Sequence, residues 1–162
     1  MHKIYFPKHK IRNIKLDLKK IKDPTETLKD LIVDACQDIK AKDLVVLNMN
    51  NIKEASASFF VICHGDSSTQ VNAIASNVLK KVKEVLGQSG NKEGMKNGEW
   101  VLVDYGDVVV HVFFKEKRYY YQLEELWGDA TLTEYGEEGK EIKKLKSKTK
   151  TNARAGQQRV AK

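Results

Sequence analysis

Two β-branched runs, Trp100–Tyr105 and Val108–Phe114, flank a Gly106-Asp107 pair, which is the signal for a hairpin with a two-residue turn. That turn sets the register. Tyr105 falls opposite Val108, Asp104 opposite Val109 and Leu102 opposite His111. Strand periodicity then puts Trp100, Leu102, Asp104, Val109, His111 and Phe113 on one face. Asp104 and His111 become diagonal neighbours, and a carboxylate beside an imidazole is the arrangement that orients a general base. The same pair serves equally as a structural hydrogen bond in a half-buried sheet, and no nucleophile accompanies it. The structural or partner-contact reading is therefore preferred.

A second segment, His64-Gly65-Asp66-Ser67-Ser68, follows the apolar run Ser58–Cys63 and precedes a helical pattern. Helix N-termini attract anions, and glycine permits close backbone approach, so phosphate binding is conceivable. Adjacent serines before a helix act more often as caps. His64 with Asp66 is too small a set for a metal, and His2 and His9 take no role. The large rings form the third group: Trp100, Tyr105, Tyr119, Tyr120, Tyr121 and Trp127 cannot all be buried in so small a domain. An exposed remainder marks an interaction surface. Three consecutive tyrosines also suit nucleic-acid stacking, but Glu116, Glu124, Glu125 and Asp129 nearby would repel phosphates, which favours a protein partner.

These residues need elements to carry them. Asp23, Pro24 and Glu26 read as N-cap, first helical position and capping box. Leu28, Leu31, Ile32, Ala35 and Ile39 then keep helical spacing to about Lys40, with Asp30, Asp34 and Asp38 on the other face. Leu44–Asn48 reads as a buried strand and Asn48–Ala57 as a polar turn region. The continuous run Ser58–Cys63 predicts a strand buried on both faces. Ser67 with Gln70 opens a second helix through Val71, Ile74, Val78, Val82 and Val85, which Gly87 stops. A glycine-bearing loop with room for a short edge strand leads to the hairpin, and a short helix ending at Trp127 closes the order. Strand–helix–strand succession predicts an α/β fold, a mixed β-sheet with flanking helices.

Length and charge bound the rest. A chain of 162 residues buries one core. No apolar run approaches a membrane span. The start, MHKIYFPKHKIRNIK, has neither an apolar leader core nor the Ser/Arg bias of a transit peptide, so a cytoplasmic protein is expected. Cys36 and Cys63, unsupported by a secretory pattern, are expected to be buried thiols. The net charge of +7 is segregated. Residues 1–22 hold eight Lys/Arg against Asp17, residues 137–162 hold nine against three Glu, and the middle is left at −6. We expect a basic extension over 1–22, whose form as strand, helix or coil is open, a folded domain over 23–136, and a basic tail over 137–162 too poor in apolar residues to order itself. The acidic middle suits a basic protein and the ends suit phosphates, although lysine-rich ends also serve mere solubility.

Taken in order, Trp100–Phe113, Arg118–Tyr121, Leu123–Ala130 and Cys63–Ser68 resemble the Iojap family, also called ribosomal silencing factor S, over about Thr25 to Ala130. The resemblance implies a nucleotidyltransferase-like α/β domain. It also implies a biological role. A protein of this kind binds the large ribosomal subunit through its protein number fourteen, at the intersubunit face, and blocks subunit association so that translation is repressed. Enzymes of that fold place Gly-Ser after a strand and a later Asp-x-Asp for two metal ions. Here Asp66 intervenes between Gly65 and Ser67, and no Asp-x-Asp occurs. No enzymatic activity, cofactor or metal is expected. The expected contact or contact-shaping set is Trp100, Asp104, Tyr105, Asp107, His111, Tyr121, Glu124 and Trp127, with Gly106 serving the turn. The long basic tail, in which the chain departs from shorter family members, is expected to offer an auxiliary contact for ribosomal RNA, and the apolar hairpin also suits a homodimer. Two alternatives remain: a nucleotide-binding transferase-like enzyme, and an RNA-binding assembly factor of the large subunit.

Overall fold

The computed structural model describes residues 23–136 and the backbone of residues 141–145. The chain begins with α1 (Pro24–Asp38), β1 (Lys42–Asn48), β2 (Phe59–Gly65) and α2 (Ser68–Leu86). It continues through β3 (Asn91–Glu93), β4 (Trp100–Asp104), β5 (Val108–Phe114), α3 (Lys115–Tyr121), α4 (Leu123–Leu126), β6 (Thr131–Tyr135) and β7 (Glu141–Leu145). The strands form one sheet in the order β3-β4-β5-β2-β1-β6-β7. Among the described strands only β2 and β5 run parallel, connected through α2, β3 and β4, so the sheet is mixed as expected. No described helix is long and apolar enough to cross a membrane.

Local chemistry explains the boundaries. Asp23 caps α1 by accepting from Thr25 N at 2.9 Å, and Pro24 occupies the first turn. Glu26 does not close the expected capping box; it turns forward to Lys29 Nζ at 2.6 Å. At α2 the cap is real. Ser67 Oγ accepts from Gln70 N at 3.1 Å, while Gln70 Oε1 reaches past Ser67 to accept from Asp66 N at 2.9 Å. Gly87 ends α2 at φ +68, in the left-handed region. Lys81 on α2 bridges Asp34 and Asp38 on α1, which uses the acidic face read from the sequence.

Each face of the sheet has its own core. Leu28, Ile32 and Ala35 of α1 and Val71, Ile74 and Val78 of α2 pack on Val46, Val61, Val101, Val110 and Val112. Cys36 and Cys63 lie within this layer as free, buried thiols. The hydrogen bond that the Cys36 thiol donates to Cys63, and then burial, push its pKa well above the ordinary range. On the far face Leu47, Ile62 and Phe113 meet Leu123 and Ala130, so the short α3–α4 segment covers part of that face and leaves the rest to rings. The strand over Phe59–Gly65 is buried on both sides, as its apolar run requires.

Two features depart from the expected order. The closing helix is broken: Gln122 adopts φ +45 and separates α3 from α4. The sheet also continues beyond the hairpin. Five residues of the tail expected to be unordered, Glu141–Leu145, pair antiparallel with β6, and β6 pairs with β1. The expected basic extension at 1–22 and the remainder of the tail lie outside the described residues.

Candidate functional site

The hairpin has the register that its turn demands. Asp104 pairs with Val109, Leu102 with His111 and Trp100 with Phe113. Gly106 takes φ +84 at the first central position, which a side chain would resist. Asp104 Oδ1 accepts from Gly106 N at 2.7 Å, so this carboxylate is an Asx-type brace for the turn. It does not bond His111. The diagonal relation exists in register, but the Asp–His dyad does not form. Asp107 is exposed at the tip, and its carbonyl accepts from Ser58 N and Phe59 N, which fastens the hairpin to β2.

His111 is turned toward Trp100. The indole Nε1 donates to His111 Nδ1 at 3.2 Å, so the neutral ring carries its proton on Nε2. Nε2 is buried without a partner among the described residues. Burial lowers the His111 pKa to about 4, and the nearby Asp104 charge only partly opposes this. The imidazole is therefore neutral at physiological pH and acts as an acceptor for the indole.

Rings extend from that bond across the far face. Trp100 stacks on Phe113 at 4.9 Å and meets Tyr121 at 4.8 Å. Phe60 stands edge-on to His111 at 4.8 Å and to Trp127 at 5.7 Å. Tyr120 and Tyr121 form a T-shaped pair at 5.1 Å. The outer members are open to solvent: Tyr119 is 59% exposed, Tyr120 79%, Tyr121 46% and Leu126 73%. Contiguous exposed rings and aliphatics of this kind mark a contact surface. Phe60 connects Trp127 to the hairpin and is absent from the expected set. In the run Phe59-Phe60 alternate residues point to opposite faces, and the second ring could have been assigned to the far face on that ground.

Two expected members play other parts. Tyr105 packs against the opposite core, near α1, with its hydroxyl buried and unpartnered among the described residues, and burial raises its pKa to about 12. The hairpin face therefore excludes it. Glu124 is committed internally: its Oε1 accepts from Arg118 Nε at 2.9 Å and from the second guanidinium nitrogen at 2.7 Å. Arg118 is only 7% exposed and also reaches the Lys42 carbonyl and His64 Nδ1. Desolvation, followed by the Arg118 charge, lowers the His64 pKa. This cation joins α3 and α4 to β1 and β2 and so fixes the platform from which the tyrosines project.

In the His64–Ser68 segment and the first turn of α2, two backbone donors are taken up by local caps. Asp66 N and Gln70 N bond within the chain, and Gly98 lies so close to Ser68 that a β-carbon there would fall 2.7 Å from the Ser68 Cβ. The capping reading fits this geometry. Among the described residues no group of three or more His, Cys, Asp or Glu side chains could hold a metal ion.

Comparison with known proteins gives a consistent result. The family described as "Ribosomal silencing factor during starvation" matches residues 22–161. A "Ribosomal silencing factor RsfS" from Halalkalibacterium halodurans is 49% identical over 109 residues, which is 67% of this chain and 92% of the relative. A crystal structure of a Chromobacterium violaceum protein superposes with a TM-score of 0.62 at 40% identity, covering 65% of this chain and 88% of that one. A more distant mouse relative bears the name "Mitochondrial assembly of ribosomal large subunit protein 1"; it is 29% identical over 101 residues, 60% of this chain and 44% of the relative.

Proposed function

The chain belongs to the ribosomal silencing factor family, and from that premise we propose that it binds the large ribosomal subunit and represses translation by standing in the way of the small one. The contact is protein number fourteen of the large subunit, at the intersubunit face. The observation that carries this reading is the ring-bearing face itself. Trp100, stacked on Phe113, meets Tyr121 at a tilt beside exposed Tyr119, Tyr120 and Leu126, on a folded body of net negative charge. Aromatic anchors supply buried area, and the acidic surroundings select a cationic protein over a phosphate backbone. The mouse relative's name supports the choice of the large subunit.

The mechanism is steric and non-enzymatic. His111 commits Nδ1 to the indole, Asp104 commits its carboxylate to the turn, and Ser67 serves as the cap of α2. The His111 imidazole and the Asp104 carboxylate thus have structural roles, which supports a contact surface over an acid–base site. Trp100 and Tyr121 then act as anchors, with Trp127 and Phe60 as their backing.

The test is sedimentation with separated ribosomal subunits on a sucrose gradient. The protein should co-migrate with large subunits alone and reduce joined ribosomes when added in excess. Trp100→Ala and Tyr121→Ala, each checked for fold by circular dichroism, should lose on the order of 2 kcal/mol, roughly thirty-fold in affinity. Folded variants that bind as tightly as the wild type would remove those anchors. Normal subunit joining around the docked factor would overturn the steric mechanism.

A further inference from the structure

An open groove of about 470 Å³ lies beside the ring-bearing face, where β1, β6 and the α3–α4 turn meet. Leu44, Val45 and Leu132 give it apolar lining, and the exposed ring of Tyr119 forms part of its wall. Its charge is one-sided. Asp43, Glu125 and Glu134 line it without an ion pair among the described residues, and the one guanidinium that lines it, Arg118, is held by Glu124. Asp43 is brought there by local backbone. It sits at φ +45 where the β1–β2 register shifts between Lys42 and Val45. The groove thus offers carboxylates and an aromatic face together, a combination that suits guanidinium and ammonium groups.

We propose that this groove is the docking site for the chain's own basic segment, residues 146–162. The proposal is independent of the ribosomal reading above. Three observations carry it. The first is connection: β7 delivers the segment to the groove's border strand, with Lys143 in register with Glu134 and Leu145 in register with Leu132, both partners being groove residues. The second is reach. Adjacent strands lie about 5 Å apart, and seventeen residues extend up to roughly 55 Å, so the tether spans the groove with slack. The third is charge: residues 146–162 hold six Lys/Arg and no Asp or Glu. Covalent attachment over so few residues gives a local concentration in the millimolar range, so individually weak contacts suffice to populate the docked state. The docked segment places its cations on the acidic body, and a phosphate backbone must compete with the groove for the same six side chains.

The experiment is paramagnetic relaxation on the full chain. A nitroxide is attached to Ala155→Cys, since native Cys36 and Cys63 are buried. Amides of Gln122, Glu125 and Glu134 should relax several-fold faster than those of Asn91 and Lys92 on the opposite sheet edge. The effect should vanish near 0.5 M NaCl, where the Debye length falls to about 4 Å. It should also vanish in the variant Asp43→Asn, Glu125→Gln, Glu134→Gln. Should that variant unfold, converting the six Lys/Arg of 146–162 to Gln gives the same loss without touching the folded body. Enhancement spread evenly over the surface, or indifferent to both sets of charges, would overturn the proposal. So would enhancement that appears on isotope-labelled unmodified chains mixed with nitroxide-bearing ones and is absent within a single chain, because the occupant would then be a second copy.

Discussion

An imidazole whose Nδ1 accepts from an indole must be neutral, and at His111 burial enforces that state down to a pKa of about 4. The unfolded chain takes up this proton near pH 6.5, the folded chain only near 4. The contribution to stability is therefore complete above about 6.5 and is lost as pH falls toward 4. At pH 5 the loss from this one group is about 2 kcal/mol. His64, also lowered by burial, adds a change of the same sign. His111→Gln isolates the first effect, because its amide oxygen can accept from Trp100 without titrating. Urea unfolding at pH 7 and pH 5 should show a smaller pH penalty in His111→Gln than in the wild type, and equal penalties would refute the assignment. Tyr105 supports a second residue-level prediction. Its buried hydroxyl lacks a partner among the described residues, so Tyr105→Phe should leave stability unchanged or raise it by about 1 kcal/mol. Large-subunit affinity should not move, since the ring faces the helices; a clear loss of affinity in the folded variant would return Tyr105 to the contact set.

Arg118 is the tie that makes α3 and α4 behave as one platform despite the break at Gln122. Arg118→Met keeps the stem but leaves Glu124, the Lys42 carbonyl and His64 Nδ1 without their donor. Breaking a buried pair from one side costs on the order of 3 kcal/mol. Hydrogen exchange should quicken first over Lys115–Leu126, while α1 and α2 keep their protection; a uniform change across the domain would argue that Arg118 is not a local tie. This element also shows what the sequence could tell. The hairpin register, the cap at Ser67, the stop at Gly87 and both helical stripes are legible because each has a side-chain signature. Glu124 reads as a partner contact because a carboxylate beside tyrosines looks the same in sequence whether or not an arginine six positions earlier folds back on it. The strands β6 and β7 are illegible for another reason. Thr131–Tyr135 is half-buried at every position, and β7 carries Lys143 and Lys144. Their pairing is made by the backbone, which leaves no hydrophobic pattern to read.

Charge is divided across the whole molecule, and this division decides what each part can bind. The folded middle carries −6 and presents rings, while residues 146–162 carry six cations and no acid. If recognition of the large subunit rests on the ring-bearing face, these cations are auxiliary. Ending the chain after Leu145 keeps β7 intact and takes the net charge from +7 to +1. The shortened protein should still co-sediment with large subunits, weakened by no more than about tenfold, or 1.4 kcal/mol. Its affinity should also depend less steeply on salt, by roughly one logarithmic unit of slope for each phosphate contact removed. Binding measured from low to physiological salt separates the two contributions, because ring contacts survive screening and phosphate contacts do not. A folded, shortened protein that no longer binds at any salt concentration would transfer recognition from the rings to the cations, and the acidic body would then be only their carrier.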